Sequence, residues 1–243
     1  MSDLQRLRGE LVVVPGLCVS TYLRPACDAL ALAGFDAHLA VPPGWSEGGT
    51  PATEPRTLAD LAQPIADWLA ADNLHGVTLV GQSVGAQIAV HVAVLASDRV
   101  RRLVLHGPVF DPRQRTLRSA VLHWASDIPR EHPSLMAAEV PDWWRAGPRR
   151  IVRTLKMALE DRIETSLDAL PARTMVVDVV VGELDPLSTR GWTASLVRGG
   201  GRHVVQPGLP HSAPHADPVG FARIVADLVD GSTVMVRSGS QGL

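Results

Sequence analysis

The residues most able to do chemistry are a serine, two acids and a histidine, each beside a chain breaker. Gly81-Gln82-Ser83-Val84-Gly85 has the form G-x-S-x-G. A serine framed this way suits a sharp strand-to-helix turn, where only glycine allows the two elements to approach closely. Such a turn lifts the hydroxyl clear of the backbone, and the helix amino terminus behind it favours negative charge. A hydroxyl is a weak nucleophile until a base takes its proton, and the base needs an acid to orient it. Downstream, Val179-Val180-Val181-Gly182-Glu183-Leu184-Asp185-Pro186 places acids just past an apolar run, and Gln206-Pro207-Gly208-Leu209-Pro210-His211 ends in a histidine.

Those residues are positioned by short β-branched runs that end at breakers. Strands are expected at Leu11–Val14, Phe35–Val41, Val77–Val80, Leu103–His106, Met175–Val181 and His203–Gln206. The runs are continuously apolar rather than alternating, as in parallel strands buried on both faces. Helical stretches lie between them: Thr21–Ala33, Thr57–Ala71 behind an N-cap-like threonine, Val84–Ala96 and the amphipathic Pro218–Val229. This alternation predicts an α/β fold in three layers, with a mostly parallel sheet of about six strands and its site at the carboxyl ends of the strands. It breaks once. From Phe110 to about Ala172 no strand is evident, and the text is helical, charged and rich in tryptophan (Trp124, Trp143, Trp144). The expected organisation is a core of residues 1–110 and 173–230, a helical lid of 111–172 inserted after the strand ending near His106, and a flexible tail of 231–243.

Taken together, these segments resemble an α/β-hydrolase of the lidded serine esterase and C–C hydrolase kind. The likeness rests on the G-x-S-x-G turn, the Gly182–Asp185 turn, and His211 ahead of Pro218 and its helix. It implies a triad in the chain order Ser83, Asp185, His211. It also implies an oxyanion hole from the backbone amides of Val84 and Leu17. Where the family usually has His-Gly after its first strand, this chain has Pro15-Gly16, which leaves the Leu17 amide available. Val41-Pro42-Pro43-Gly44-Trp45 is similar to a family turn but lacks its aspartate and second glycine, so it reads as structural.

Other assignments stay open at this level. Asp111 also follows a strand end and is a second candidate acid; Glu183 reads as part of the turn. His215 shares the loop of His211, whereas His91 and His106 read as structural. Trp143 and Trp144 are candidate pocket residues. The basic run Arg145, Arg149, Arg150, Arg153 and Lys156 is either a solvated face or the source of an arginine for a substrate carboxylate. Met136 and Met157 would suit a malleable apolar pocket.

Composition limits the function classes. The chain has 243 residues, 23 basic and 25 acidic side chains and a formal charge of −2, which argues against nucleic acid as a partner. Cys18 and Cys27 are too few for a disulfide framework, and such usage fits a reducing cytoplasm. The stretch from Gly76 to Ser97 lacks charge and is long enough for a membrane span, but Gln82, Ser83, Gln87 and His91 favour a strand, a turn and a buried helix. No dinucleotide motif or metal-ligand spacing is apparent, so no cofactor and no metal are expected. The activity implied is hydrolysis of a carboxylic ester or thioester of a small to medium apolar acid through an acyl-enzyme. The alternatives are C–C bond hydrolysis of a diketone by the same triad and a non-hydrolytic ligand-binding protein on the same fold. The partner in every case is a small molecule.

Overall fold

A computed structural model describes residues 8–46, 48–171 and 175–232. Six strands form one sheet: β1 (Glu10–Val14), β2 (Asp36–Leu39), β3 (Val77–Gln82), β4 (Val100–His106), β5 (Val176–Gly182) and β6 (His203–Gln206). Their order is β2-β1-β3-β4-β5-β6, and every neighbouring pair is parallel. Successive side chains alternate between faces. Leu11, Val13, Val80, Val104 and Val180 therefore pack against α1 (Arg24–Leu32) on one side. Val12, Val14, Leu79, Leu103 and Val179 pack against α2 (Leu58–Ala71) and α3 (Val84–Leu95) on the other. Both faces are dry, which is why the strands lack hydrophobic alternation.

The strand order reverses between β1 and β3. Loops leaving these two strands run to opposite faces and open a crevice at the carboxyl edge of the sheet. The loop after β1 and the turn after β3 flank that crevice, so topology alone brings Gly16 and Leu17 toward Ser83.

Between β4 and β5 the chain forms four helices: α4 (Leu117–Asp127), α5 (Ser134–Ala146), α6 (Pro148–Glu160) and α7 (Ile163–Asp168). The expected boundary near 172–173 falls in part on residues outside the described set, as does the expected tail from residue 233 onward. After β5 come α8 (Arg190–Ser195), α9 (Ala213–Ala216) and α10 (Pro218–Val229), the last packed on α1. The short α8 and α9 have no counterpart in the sequence reading, because six and four residues carry too little periodicity.

The uncharged stretch resolves as expected into β3, the turn and α3. Residues Val84–Val90 of α3 are all buried, which removes the need for a polar face. Among the described residues, no helix is long and apolar enough to cross a membrane. The threonine before α2 does cap it: Thr57 accepts from the Asp60 amide, and the Asp60 carboxylate accepts from the Thr57 amide at 2.9 Å.

Candidate active site

Ser83 occupies the one-residue corner between β3 and α3, with φ 58° and ψ −124°. This left-handed conformation is uncommon for a residue with a Cβ and is held by its surroundings. A Cβ on Gly85 would lie 2.3 Å from the carbonyl oxygens of Val14 and Pro15, and one on Gly81 would lie 2.4 Å from the Gly85 carbonyl. The two glycines of the motif are thus required by contact with backbone, as the spacing predicts.

The three side chains singled out in the sequence meet here. The Ser83 hydroxyl donates to His211 Nε2 at 2.9 Å, and His211 Nδ1 donates to Asp185 Oδ2 at 2.8 Å. The second Asp185 oxygen accepts from the amides of Leu187 (2.8 Å) and Ser188 (3.1 Å). Its side chain is fully buried. Burial opposes its charge, but the His211 charge and hydrogen bond, with the Leu187 amide, outweigh that and hold the carboxyl below its usual range. His211 is shifted the other way. Burial disfavours the imidazolium, yet the Asp185 charge and hydrogen bond prevail, aided by Asp127 and Glu131, and its pKa is raised to about 9.

The alternatives are engaged elsewhere. Asp111 accepts from the Arg113 guanidinium and from Thr189 Oγ1. His215 bridges the Tyr22 carbonyl (3.0 Å) and Ser134 Oγ (2.8 Å). His91 pairs with Asp161 at 2.7 Å. His106 is fully buried against Gln206 and Phe221, and burial pushes its pKa down to about 4. Glu183 accepts from the Gly208 amide, closing the turn as read.

Leu17 and Val84 both line the cavity that Ser83 opens into. As the first residue of its helix, Val84 has an amide with no carbonyl one turn behind it. The Leu17 amide has no acceptor among the described residues. The loop carrying Leu17 is anchored by a network absent from the sequence reading. The Gly16 amide donates to the Tyr22 hydroxyl at 3.0 Å, Tyr22 donates to Gln82 Oε1, and Gln82 Nε2 donates to the His211 carbonyl at 3.3 Å. Tyr22 and Gln82 thus couple the loop after β1 to both sides of the serine turn. A second anchor comes from α5. Buried Asp142 accepts from the Ser20 and Thr21 amides, each at 2.9 Å, and Trp143 Nε1 donates to the Leu17 carbonyl at 3.0 Å.

The cavity has a volume of about 370 Å³, within the range of small-molecule sites. Trp143 and Met136 line it, and Trp124 joins them, edge-on to Trp143 at 5.9 Å. Trp144 does not. It is 88% exposed, because one residue's rotation along α5 turns it to solvent when Trp143 faces inward. Met157 is buried among core residues and lines no part of this cavity. Among the described residues, no arginine or lysine lines it. Arg150 donates to the Gly44 carbonyl, Arg153 pairs with Glu54, and Arg145 pairs with Asp142, so these three serve structural contacts. Three acids do line the cavity: Asp127, Glu131 and Glu139. Burial raises all three above the usual carboxyl range, Glu131 to about 7 and Glu139 to about 8.

Parallel pairing brings together one set of metal-capable side chains that spacing did not reveal. Glu10 stands opposite Asp36, and His38 Nε2 lies 3.3 Å from a carboxylate oxygen of each. The group sits on the β1–β2 edge, outside the cavity. Neither thiol is disulfide-bonded, and burial pushes both Cys18 and Cys27 up to about 12.

Comparison with known proteins places this geometry in context. The chain is similar in structure to an esterase from Thermogutta terrifontis (19% identity, TM-score 0.72, 93% of this chain and 91% of that one). It is also similar to a bromoperoxidase from Bacillus anthracis (16%, 0.70, 91% and 92%). A third is the meta-cleavage product hydrolase from Pseudomonas fluorescens IP01 (16%, 0.66, 93% and 92%). No curated protein matches by sequence. The model of the alpha/beta hydrolase fold family matches residues 10–152, more than half of the chain, which therefore belongs to that family.

Proposed function

We propose that the protein is a serine hydrolase that cleaves a carboxylic ester or thioester through an acyl-enzyme, using only its own side chains. The observation that carries this reading is the unbroken pair of hydrogen bonds Ser83–His211–Asp185 at the mouth of an apolar cavity. Ser83 Oγ attacks the carbonyl carbon as its proton passes to His211 Nε2. Asp185 keeps the ring proton on Nδ1 and stabilises the imidazolium. The Val84 and Leu17 amides receive the negative charge that develops on the carbonyl oxygen. His211 returns the proton to the leaving alcohol or thiol, then takes one from a water as that water attacks the acyl carbon, and passes it to Ser83 Oγ as the acid is released. Helices α4 to α6 act as the lid and supply Trp124, Met136 and Trp143 to the acyl or alcohol pocket.

A fluorophosphonate probe tests the hydrolase reading. Covalent capture is expected at Ser83, abolished in Ser83→Ala and strongly reduced in His211→Ala. An unlabelled Ser83 in a protein that still binds ligands would point to the non-hydrolytic reading.

A further inference from the structure

Glu139 is the side chain that the mechanism leaves unused. It lies on the inward face of α5, with Met136 one turn before it and Trp143 one turn after, and its exposure is 8%. Its carboxyl has no hydrogen-bond partner among the described residues. Burying an acid without a partner costs stability, and a leucine there would complete the apolar wall. Two further buried acids share the cavity: Asp127, whose Oδ1 is unpartnered, and Glu131, whose Oε2 is unpartnered. Among the described residues that line the cavity, His211 is the one basic side chain. Trp124 and Trp143, edge-on to each other, line the same space.

Resting on the hydrolase reading above, we propose that Glu139 makes this cavity a cation subsite, selecting esters or thioesters in which one limb carries an ammonium group. An ammonium placed there would give the Glu139 carboxylate a charged partner and lie beside the tryptophan rings. Glu139 is held protonated by burial, and a bound cation would draw it into its ionised form.

Two matched pairs of probes test this on either limb. On the acyl side, p-nitrophenyl 4-(trimethylammonio)butanoate is compared with p-nitrophenyl 5,5-dimethylhexanoate. On the alcohol side, acetylthiocholine is compared with S-3,3-dimethylbutyl thioacetate. Each pair differs only by nitrogen for carbon. In at least one pair, kcat/KM for the ammonium member is expected to exceed that of its isostere by about tenfold or more. The preference should fall to near parity in Glu139→Gln and in Glu139→Met; because the readout is a ratio, losses common to both members cancel. Parity or a preference for the isostere in both pairs overturns the proposal, as does a preference that survives both substitutions. Failure of the hydrolase reading looks different: none of the four probes is turned over and Ser83 takes no fluorophosphonate. In that event, calorimetric titration of butyltrimethylammonium decides the cation subsite separately. Binding lost in Glu139→Gln supports it, and absent or unchanged binding refutes it.

Discussion

At Ser83, a backbone of φ 58° and ψ −124° commits roughly 1–3 kcal/mol of strain to projecting one hydroxyl at one imidazole. That arrangement makes the roles of neighbouring residues separable. Asp185→Asn should lower kcat on the order of 10⁴-fold, because the ring loses its orienting acceptor. Asp111→Asn should leave steady-state turnover within a few-fold, since Asp111 is occupied by Arg113 and Thr189. The raised pKa of His211 sets a pH dependence. The base works only when neutral, so kcat/KM should rise with pH, with an acid limb above 6.5 and toward 9. Glu131 stabilises the imidazolium, so Glu131→Gln should shift that limb to lower pH, visible in a pH–rate profile. Asp185 and His211 stood out in the sequence as candidates because each follows a strand end. Asp127, Glu131 and Glu139 were not, because nothing in a charged helical stretch separates an acid facing a cavity from one facing water.

At the level of elements, the sheet strands and the helices α2, α3 and α10 could be read because each couples an apolar pattern to a breaker or cap. The insertion resisted. Pro141 lies inside α5 and Pro148 opens α6, so prolines there do not mark ends in a uniform way. The element that matters most for the site is α5, which Asp142 fastens to the loop after β1. Asp142 is fully buried and accepts from Ser20, Thr21 and Arg145. Asp142→Ala should cost about 2–3 kcal/mol, measured as a fall in urea midpoint, because the buried Ser20 amide and the part-buried Thr21 amide lose their acceptor. It should also raise KM, since the helix that carries Met136, Glu139 and Trp143 loses its anchor. Tyr22→Phe acts on the opposite side of that loop. It strands the Gly16 amide and Gln82 Oε1, and should lower kcat more than it raises KM if the loop positions the Leu17 amide.

Across the whole molecule, the buried acids leave a signature in stability. A carboxyl in the unfolded chain loses its proton near 4.5, whereas Glu139 in the fold keeps it to about 8. Between those values the unfolded state binds fewer protons, so stability falls as pH rises. Glu139→Gln should flatten that decline, with the largest gain in urea midpoint above pH 8. The sequence by itself determined the sheet, its strand count, the serine turn and the chain order of serine, acid and histidine. These depend on local periodicity and on breakers that act within a few residues. Tertiary packing alone settled which of two adjacent tryptophans faces the cavity, that Arg145, Arg150 and Arg153 are engaged by Asp142, a backbone carbonyl and Glu54, and that acids line the pocket. Those outcomes depend on helix rotation and on contacts between segments far apart in the chain, which no local pattern encodes.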